Sequence, residues 1–136
     1  MKLPAVAENL PPIIAFVSKC ARKRGFDEGR ISEVELAVEE AVTNICLHAY
    51  DQIPGEIEIT CMQDNDADRI IIEIIDTGNP FNILAAPDPD LAADLDSRAI
   101  GGLGVLFVRK FADDLRYSRS ANENRLQLFF DRNKKL

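Results

Sequence analysis

Ile70, Ile72 and Ile74 alternate through the run RIIIEIID, and Asp76 stands two residues beyond the last of them. A period of two belongs to a β-strand, whose successive side chains point to opposite faces. Ile70, Ile72, Ile74 and Asp76 thus share one face, and Ile71, Glu73 and Ile75 the other. The first face is apolar up to its last member, so the chain must supply a layer to cover it. Glu56 to Met62 alternates in the same way, and Asp64 to Asp68 is a cluster of turn residues. These two runs are expected to pair as an antiparallel hairpin. Asp114 to Arg119 and Arg125 to Phe130, around Ser120 to Asn124, predict a second hairpin.

Three segments with helical spacing provide the covering layer. Pro11 and Pro12 can open a helix carrying Ile13, Ile14, Phe16, Val17 and Cys20, with a basic last turn, Arg22-Lys23-Arg24, before Gly25. A second helix is expected to start at Ser32, where Ser32 and Glu35 form an S-x-x-E capping box. Val34, Val38, Ala41, Ile45 and Ala49 give it a buried face. Glu40, Asn44 and His48, four residues apart, form a polar stripe beside that face. Such a stripe is either a solvated edge or a place for chemistry. Leu103 to Ala112, with Val105, Leu106, Val108 and Phe111, predicts the third helix. The interleaving of strands and helices predicts one domain over residues 1–136: an α/β two-layer sandwich, its mixed, mainly antiparallel sheet covered by helices on one face.

Composition narrows the function. With 16 basic and 23 acidic residues the net charge is -7, which argues against nucleic acid and anionic membranes as partners. No apolar run approaches the roughly 18 residues of a membrane span, and MKLPAVAENLPP lacks the apolar core of a signal peptide, so a cytoplasmic location is expected. Cys20, Cys46 and Cys61 are odd in number and far apart in apolar segments. They read as core thiols.

Two further segments carry candidate chemistry. Asp76 would end a buried row, where a carboxylate needs a specific donor, for instance a ligand's amino group. It could equally begin a turn with Thr77 and Gly78. The stretch from about residue 79 to 100 is rich in Asp, Ala and Pro, a composition and length suited to a lid. It runs into Gly101-Gly102-Leu103-Gly104 at the start of the third helix. Backbone amides there could hold a phosphate, or the glycines could serve close helix–sheet packing. The chain contains no P-loop sequence, so any nucleotide is bound otherwise.

Taken in order, Glu40-x-x-x-Asn44-x-x-x-His48-Ala49-Tyr50, Asp76-x-Gly78-x-Pro80-Phe81 and Gly101-Gly102-Leu103-Gly104 resemble the N, G1 and G2 boxes of the GHKL ATPases. Within that superfamily the chain is most similar to the small anti-sigma factor serine-protein kinases of bacteria, the RsbW and SpoIIAB type, from about Leu10 to Phe130. The resemblance implies a Bergerat-type fold that binds ATP between the helices and the sheet. It implies Asn44 as the Mg²⁺ ligand and Glu40 as the general base toward a serine hydroxyl. It further implies Asp76 and Gly78 at the adenine, and Gly101, Gly102, Leu103 and Gly104 at the phosphates. Arg98 would contact a phosphate or a partner, and His48 would have a supporting part.

The implied activity is an ATP- and Mg²⁺-dependent protein serine kinase. Its implied partners are a small anti-sigma-factor antagonist, phosphorylated on serine, and a restrained sigma factor or other response regulator. The alternative is an ATP-binding module that sequesters a partner without kinase activity. A sensor histidine kinase's catalytic domain would need a separate phospho-accepting histidine, and His48 is the chain's one histidine. Two features depart from the family pattern: the lid has no lysine, and Asn82 follows Pro80-Phe81 where an acidic residue is usual. A homodimer would use the Ile71, Ile75 and Phe129 side of the sheet.

Overall fold

The computed structural model describes residues 1–50, 55–64, 68–83 and 102–133, without the side chains of 102–106. The lid residues Leu84 to Ala99, with Arg98, and also Gly101, lie outside the described residues. Strands β1 (Lys2–Pro4), β2 (Glu56–Gln63), β3 (Arg69–Asp76), β4 (Asp114–Ser120) and β5 (Glu123–Asp131) form one sheet in the order β1-β2-β3-β5-β4. Every pairing is antiparallel. Helices α1 (Leu10–Lys23), α2 (Glu28–Asn44) and α3 (Gly102–Phe111) supply the second layer. The β1 strand is an addition to the sequence expectation, its three residues being too short to show a period. None of the described helices is long and apolar enough to cross a membrane.

The core lies where the alternation placed it. Ile70, Ile72 and Ile74 are at most 1% exposed and sit beside Ile57 and Ile59 of β2 and Leu126, Leu128 and Phe130 of β5, all buried. Val34, Val38 and Ala41 close over them from α2 and Ile45 from the turn that follows it, with Val17 from α1 and Val108 from α3. Fully burying a side chain of this kind contributes about 1.5–3 kcal/mol. The β4–β5 turn is tighter than the expected Ser120 to Asn124, since Ser120, Glu123 and Asn124 are paired in the strands. Ala121 and Asn122 both have positive φ, 52° and 65°, the conformation a two-residue hairpin turn requires.

Helix α2 begins one turn before the predicted capping box. Asp27 is its N-cap and accepts a hydrogen bond from Arg30 N at 2.7 Å, while Ser32 lies inside the helix with its hydroxyl on Glu28 O. The earlier start lets Ile31, 1% exposed, enter the core, and Asp27 fills the cap role that Ser32 was assigned. Arg30 is itself buried. It donates to Asp131 O at 2.8 Å and Phe111 O at 2.9 Å, pairs with Asp113 and lies over the Phe130 ring. It thereby fastens the start of α2 to the ends of α3 and β5.

The cysteines also depart from expectation, since Cys20 and Cys61 form a disulfide and Cys46 alone stays free. On the face of the sheet away from the helices, Phe129 is covered by the guanidinium groups of Arg69 and Arg116. That leaves Ile71 and Ile75, both half-buried, as apolar residues of the side proposed for a homodimer.

Candidate functional site

Register brings the two polar ends of the core rows together. Asp76 of β3 lies directly opposite Asn124 of β5, and both are buried, at 1% and 3% exposure. Asn124 Nδ2 donates to Asp76 Oδ1 at 2.9 Å and to Asn79 O at 2.8 Å. Gly78 N donates to the same Asp76 oxygen at 3.0 Å. Asp76 Oδ2 has no protein donor among the described residues. Burial raises the Asp76 carboxyl above its ordinary pKa, opposed by Asn124, the Gly78 amide and Arg119. The turn reading holds through Oδ1, and Oδ2 is left as a buried acceptor.

The turn after Asp76 is held from every side. Thr77 N donates to Tyr50 Oη at 2.9 Å, and Tyr50 Oη donates to Glu56 O. Arg119 Nη1 donates to Gly78 O at 2.7 Å, and Asn79 N to Ala49 O at 2.6 Å. Asn124 Oδ1 accepts from Tyr117 Oη, with Phe81 N 3.4 Å away. Gly78 is required by contact, since a Cβ there would stand 2.5 Å from Ala49 O. Backbone cannot yield as a side-chain tip can, so Gly78→Ala should cost about 1–3 kcal/mol of stability as overpacking. Equal denaturant midpoints for Gly78→Ala and the unmutated protein would refute that reading.

The polar stripe is only partly a stripe. Helix α2 ends at Asn44 and runs on into a π-helical turn, Ile45–Ala49. Such a turn inserts an extra residue into the helical winding, a feature frequent at functional sites. Asn44 is 2% exposed, Glu40 is half-buried and His48 is exposed. His48 is displaced from the row and stacks on Phe81, ring centroids 5.0 Å apart. Asn44 Nδ2 donates to Glu40 O at 2.7 Å. That carbonyl can only accept, which fixes the amide's orientation and leaves Asn44 Oδ1 buried with no protein donor among the described residues. The Glu40 carboxylate likewise has no hydrogen-bond or ion-pair partner among them. Its pKa is raised, first by burial and then by Glu39.

Ala41, Ile45, Asp76, Phe81, Ile83, Tyr117, Asn124 and Leu126 line a pocket between α2 and the sheet, with about 10 Å³ of space inside. That is room for about one water. Gly102, Leu103 and Gly104 are the first three residues of α3, so their amides are among the helix's unpaired N–H groups. Hydrogen bonds thus join Asp76 and its turn to Asn124, Tyr50, Tyr117 and Arg119, to none of which the sequence reading gave a role, whereas Asn44 and Glu40 are bonded to each other on α2 and do not line the pocket. Asn124 had been placed in a turn. Its one local signal was its position two residues before the alternating core residues Leu126, Leu128 and Phe130.

Residues 3–130 match the family model described as "Histidine kinase-like ATPase domain". The serine-protein kinase RsbW of Bacillus cereus is 32% identical over 120 residues, covering 85% of this chain and 74% of that protein. RsbW of Bacillus anthracis is 31% identical over 121 residues with the same coverage. Among solved structures, the RsbU and RsbW domains of a Mycobacterium tuberculosis protein align with 96% of this chain at a TM-score of 0.60 and 14% identity. A blue-light activated histidine kinase of Erythrobacter litoralis aligns with 78% at a TM-score of 0.56 and 16% identity. The chain spans about a third of each of those two solved chains, 32% and 31%, and they share its α/β sandwich.

Proposed function

Because this chain belongs to the family of histidine kinase-like ATPase domains, we propose that it is a protein serine kinase using ATP and Mg²⁺, acting as an anti-sigma or related regulatory switch. The observation that carries this reading is the pair of buried acceptor oxygens without a donor among the described residues: Asp76 Oδ2, on the pocket between α2 and the sheet, and Asn44 Oδ1, one residue before the pocket-lining Ile45. A buried acceptor without a donor costs about 1–3 kcal/mol, and a ligand that supplies the donor or cation recovers it. Asp76 Oδ2 suits the amino group of adenine. Asn44 Oδ1, a hard neutral oxygen, suits Mg²⁺.

The chain's residues divide the work. Asn124, Tyr50, Arg119 and the Gly78 contact hold Asp76 so that one oxygen faces the base. Gly102, Leu103 and Gly104 present helix N-terminal amides to the phosphates, and Gly101 and Arg98 are proposed beside them. Glu40, half-buried and without a partner among the described residues, is the base that accepts the serine proton. When bound, Mg²⁺ neutralises charge on the triphosphate. An adenine does not fit a pocket of about 10 Å³, so Phe81 and Ile83 must move outward, and His48, stacked on Phe81, steadies that movement.

By similarity to the RsbW proteins, the phosphorylated partner would be a small antagonist protein and the restrained partner a sigma factor or other response regulator. A cytoplasmic location fits such partners. A homodimer through the open face of the sheet would have to form around the Arg69–Phe129–Arg116 stack.

The test is incubation with γ-labelled ATP, Mg²⁺ and the antagonist encoded nearest this chain. Label on an antagonist serine is expected. ATP-dependent complex formation with no labelled protein would replace the kinase with a sequestering module. In parallel, Mg·ATP at ~100 times its dissociation constant should raise stability by roughly 2.7 kcal/mol. An unchanged melting temperature would overturn nucleotide binding itself.

A further inference from the structure

The first 23 residues are fastened to β2 at two places. At one end β1 pairs with β2 over Glu56 to Glu58, extended on either side by Met1 on Ile59 and by Ala5 N on Gly55 O. At the other, Cys20 in the last turn of α1 is bonded to Cys61 of β2, across a Cα–Cα distance of 6.7 Å. Beside this bond Arg24 Nη1 donates to Gln63 Oε1 at 2.5 Å. Both cysteines are half-buried, so the bond is anchored in the packed layer and also open to solvent. The only other cysteine, Cys46, lies in the π-helical turn at the far end of α2.

The bond is remote from the nucleotide pocket. Ser18, two residues before Cys20, lies 2.8 Å from Glu35 Oε1 on α2. Asn44 is nine residues further along α2, a distance of about 13 Å at 1.5 Å per residue. On the sheet, Cys61 pairs with Ile72, four residues or about 13 Å from Asp76.

We propose that Cys20–Cys61 is a thiol-exchange site: a bond that a small thiol or a dithiol protein opens in the folded chain, setting how firmly α1 is held to the sheet without altering the nucleotide pocket. A reductant thiolate attacks one sulfur, forming a mixed disulfide and releasing the other cysteine as a thiolate. A second reductant thiolate then attacks the reductant's sulfur in that mixed disulfide, releasing the second cysteine as a thiolate. Two electrons and two protons pass from two reductant thiols to Cys20 and Cys61, and the reductant leaves as its own disulfide. The closed form encloses a long loop, 41 residues of separation, and a cross-link over such a loop stabilises chiefly by restricting the unfolded chain.

N-ethylmaleimide labelling in denaturant, read by intact mass, tests the bond. The oxidised protein should take one adduct, on Cys46, and the reduced protein three. Three adducts on the oxidised protein would overturn the bond. Reduced glutathione, applied without denaturant, should open it while circular dichroism stays native. A bond that opens only once the chain unfolds would overturn the exchange site. Reduction should lower the melting temperature by about 10 °C, and the double variant Cys20→Ser/Cys61→Ser should melt like the reduced protein and ignore the reductant. Equal melting of the oxidised and reduced forms would sink the staple. Mg·ATP affinity should agree within about twofold between the two redox states. A difference of tenfold or more would overturn the separation from the pocket, whereas no ATP binding in either state would count against the kinase reading and leave the thiol results standing.

Discussion

Glu40→Ala is expected to slow phosphoryl transfer to the antagonist roughly 100- to 10,000-fold, the range a positioned general base contributes, while changing Mg·ATP affinity less than about threefold. The separation follows from geometry. The side chain of Asn44 is held by the Glu40 backbone carbonyl, which alanine retains, so the proposed Mg²⁺ ligand keeps its place. The Glu40 carboxylate has no partner among the described residues, so its removal strands nothing else. Burial, with Glu39, raises its pKa. A base must be ionised to accept a proton, so the transfer rate should fall as pH is lowered, with a midpoint above the ordinary glutamate value of about 4.3. Single-turnover transfer measured across pH checks both parts. An alanine variant as fast as the unmutated protein would remove Glu40 from the chemistry.

Asp76→Asn should weaken Mg·ATP binding about 100-fold without weakening the fold. Asparagine can keep the Oδ1 contacts with Asn124 and the Gly78 amide. The second position becomes an N–H donor, facing the adenine amino group donor to donor and losing a charged hydrogen bond worth about 1.5–3 kcal/mol. Stability should move the other way. Burial raises the native pKa of Asp76, so the folded state binds that proton more tightly than the unfolded chain does. The resulting stabilisation is fully present below the unfolded aspartate pKa and is lost as pH rises through the raised native value. At neutral pH the ionised carboxylate is therefore a net cost that asparagine removes. The variant should melt no lower than the unmutated protein at pH 7.5, and its advantage should vanish near pH 4. Isothermal titration and pH-dependent melting measure the two effects. Undiminished ATP affinity would take the base out of the Asp76 pocket, and a variant much less stable at pH 7.5 would show the carboxylate to be structural.

Much of this arrangement was legible because burial writes a local period into sequence. The alternation of Ile70, Ile72, Ile74 and Asp76 requires only that one face of a strand be dry, and all four are buried. The spacing of Val34, Val38 and Ala41 marked the inner face of α2 in the same way. Where a local signal had a competitor, it failed. Ser32 and Glu35 make a good capping box, yet Asp27 caps the helix, because burying Ile31 outweighs the choice between two adequate caps. The regular four-residue step to His48 failed too, since the π-helical turn interrupts the α-helical winding and leaves His48 outside, stacked on Phe81.

What the sequence determined by itself was the two layers, the direction each faces, and the order of Glu40, Asn44, Asp76 and the glycines along the chain. Tertiary structure alone decided which groups meet. Asp76 and Asn124 are 48 residues apart and touch because of the β3–β5 register. Cys20 and Cys61 are 41 apart and meet where α1 lies against β2. Periodicity records the environment of one segment, dry or wet. Register and helix placement emerge from packing all the segments at once, and that packing leaves one oxygen each of Asp76 and Asn44 without a donor among the described residues.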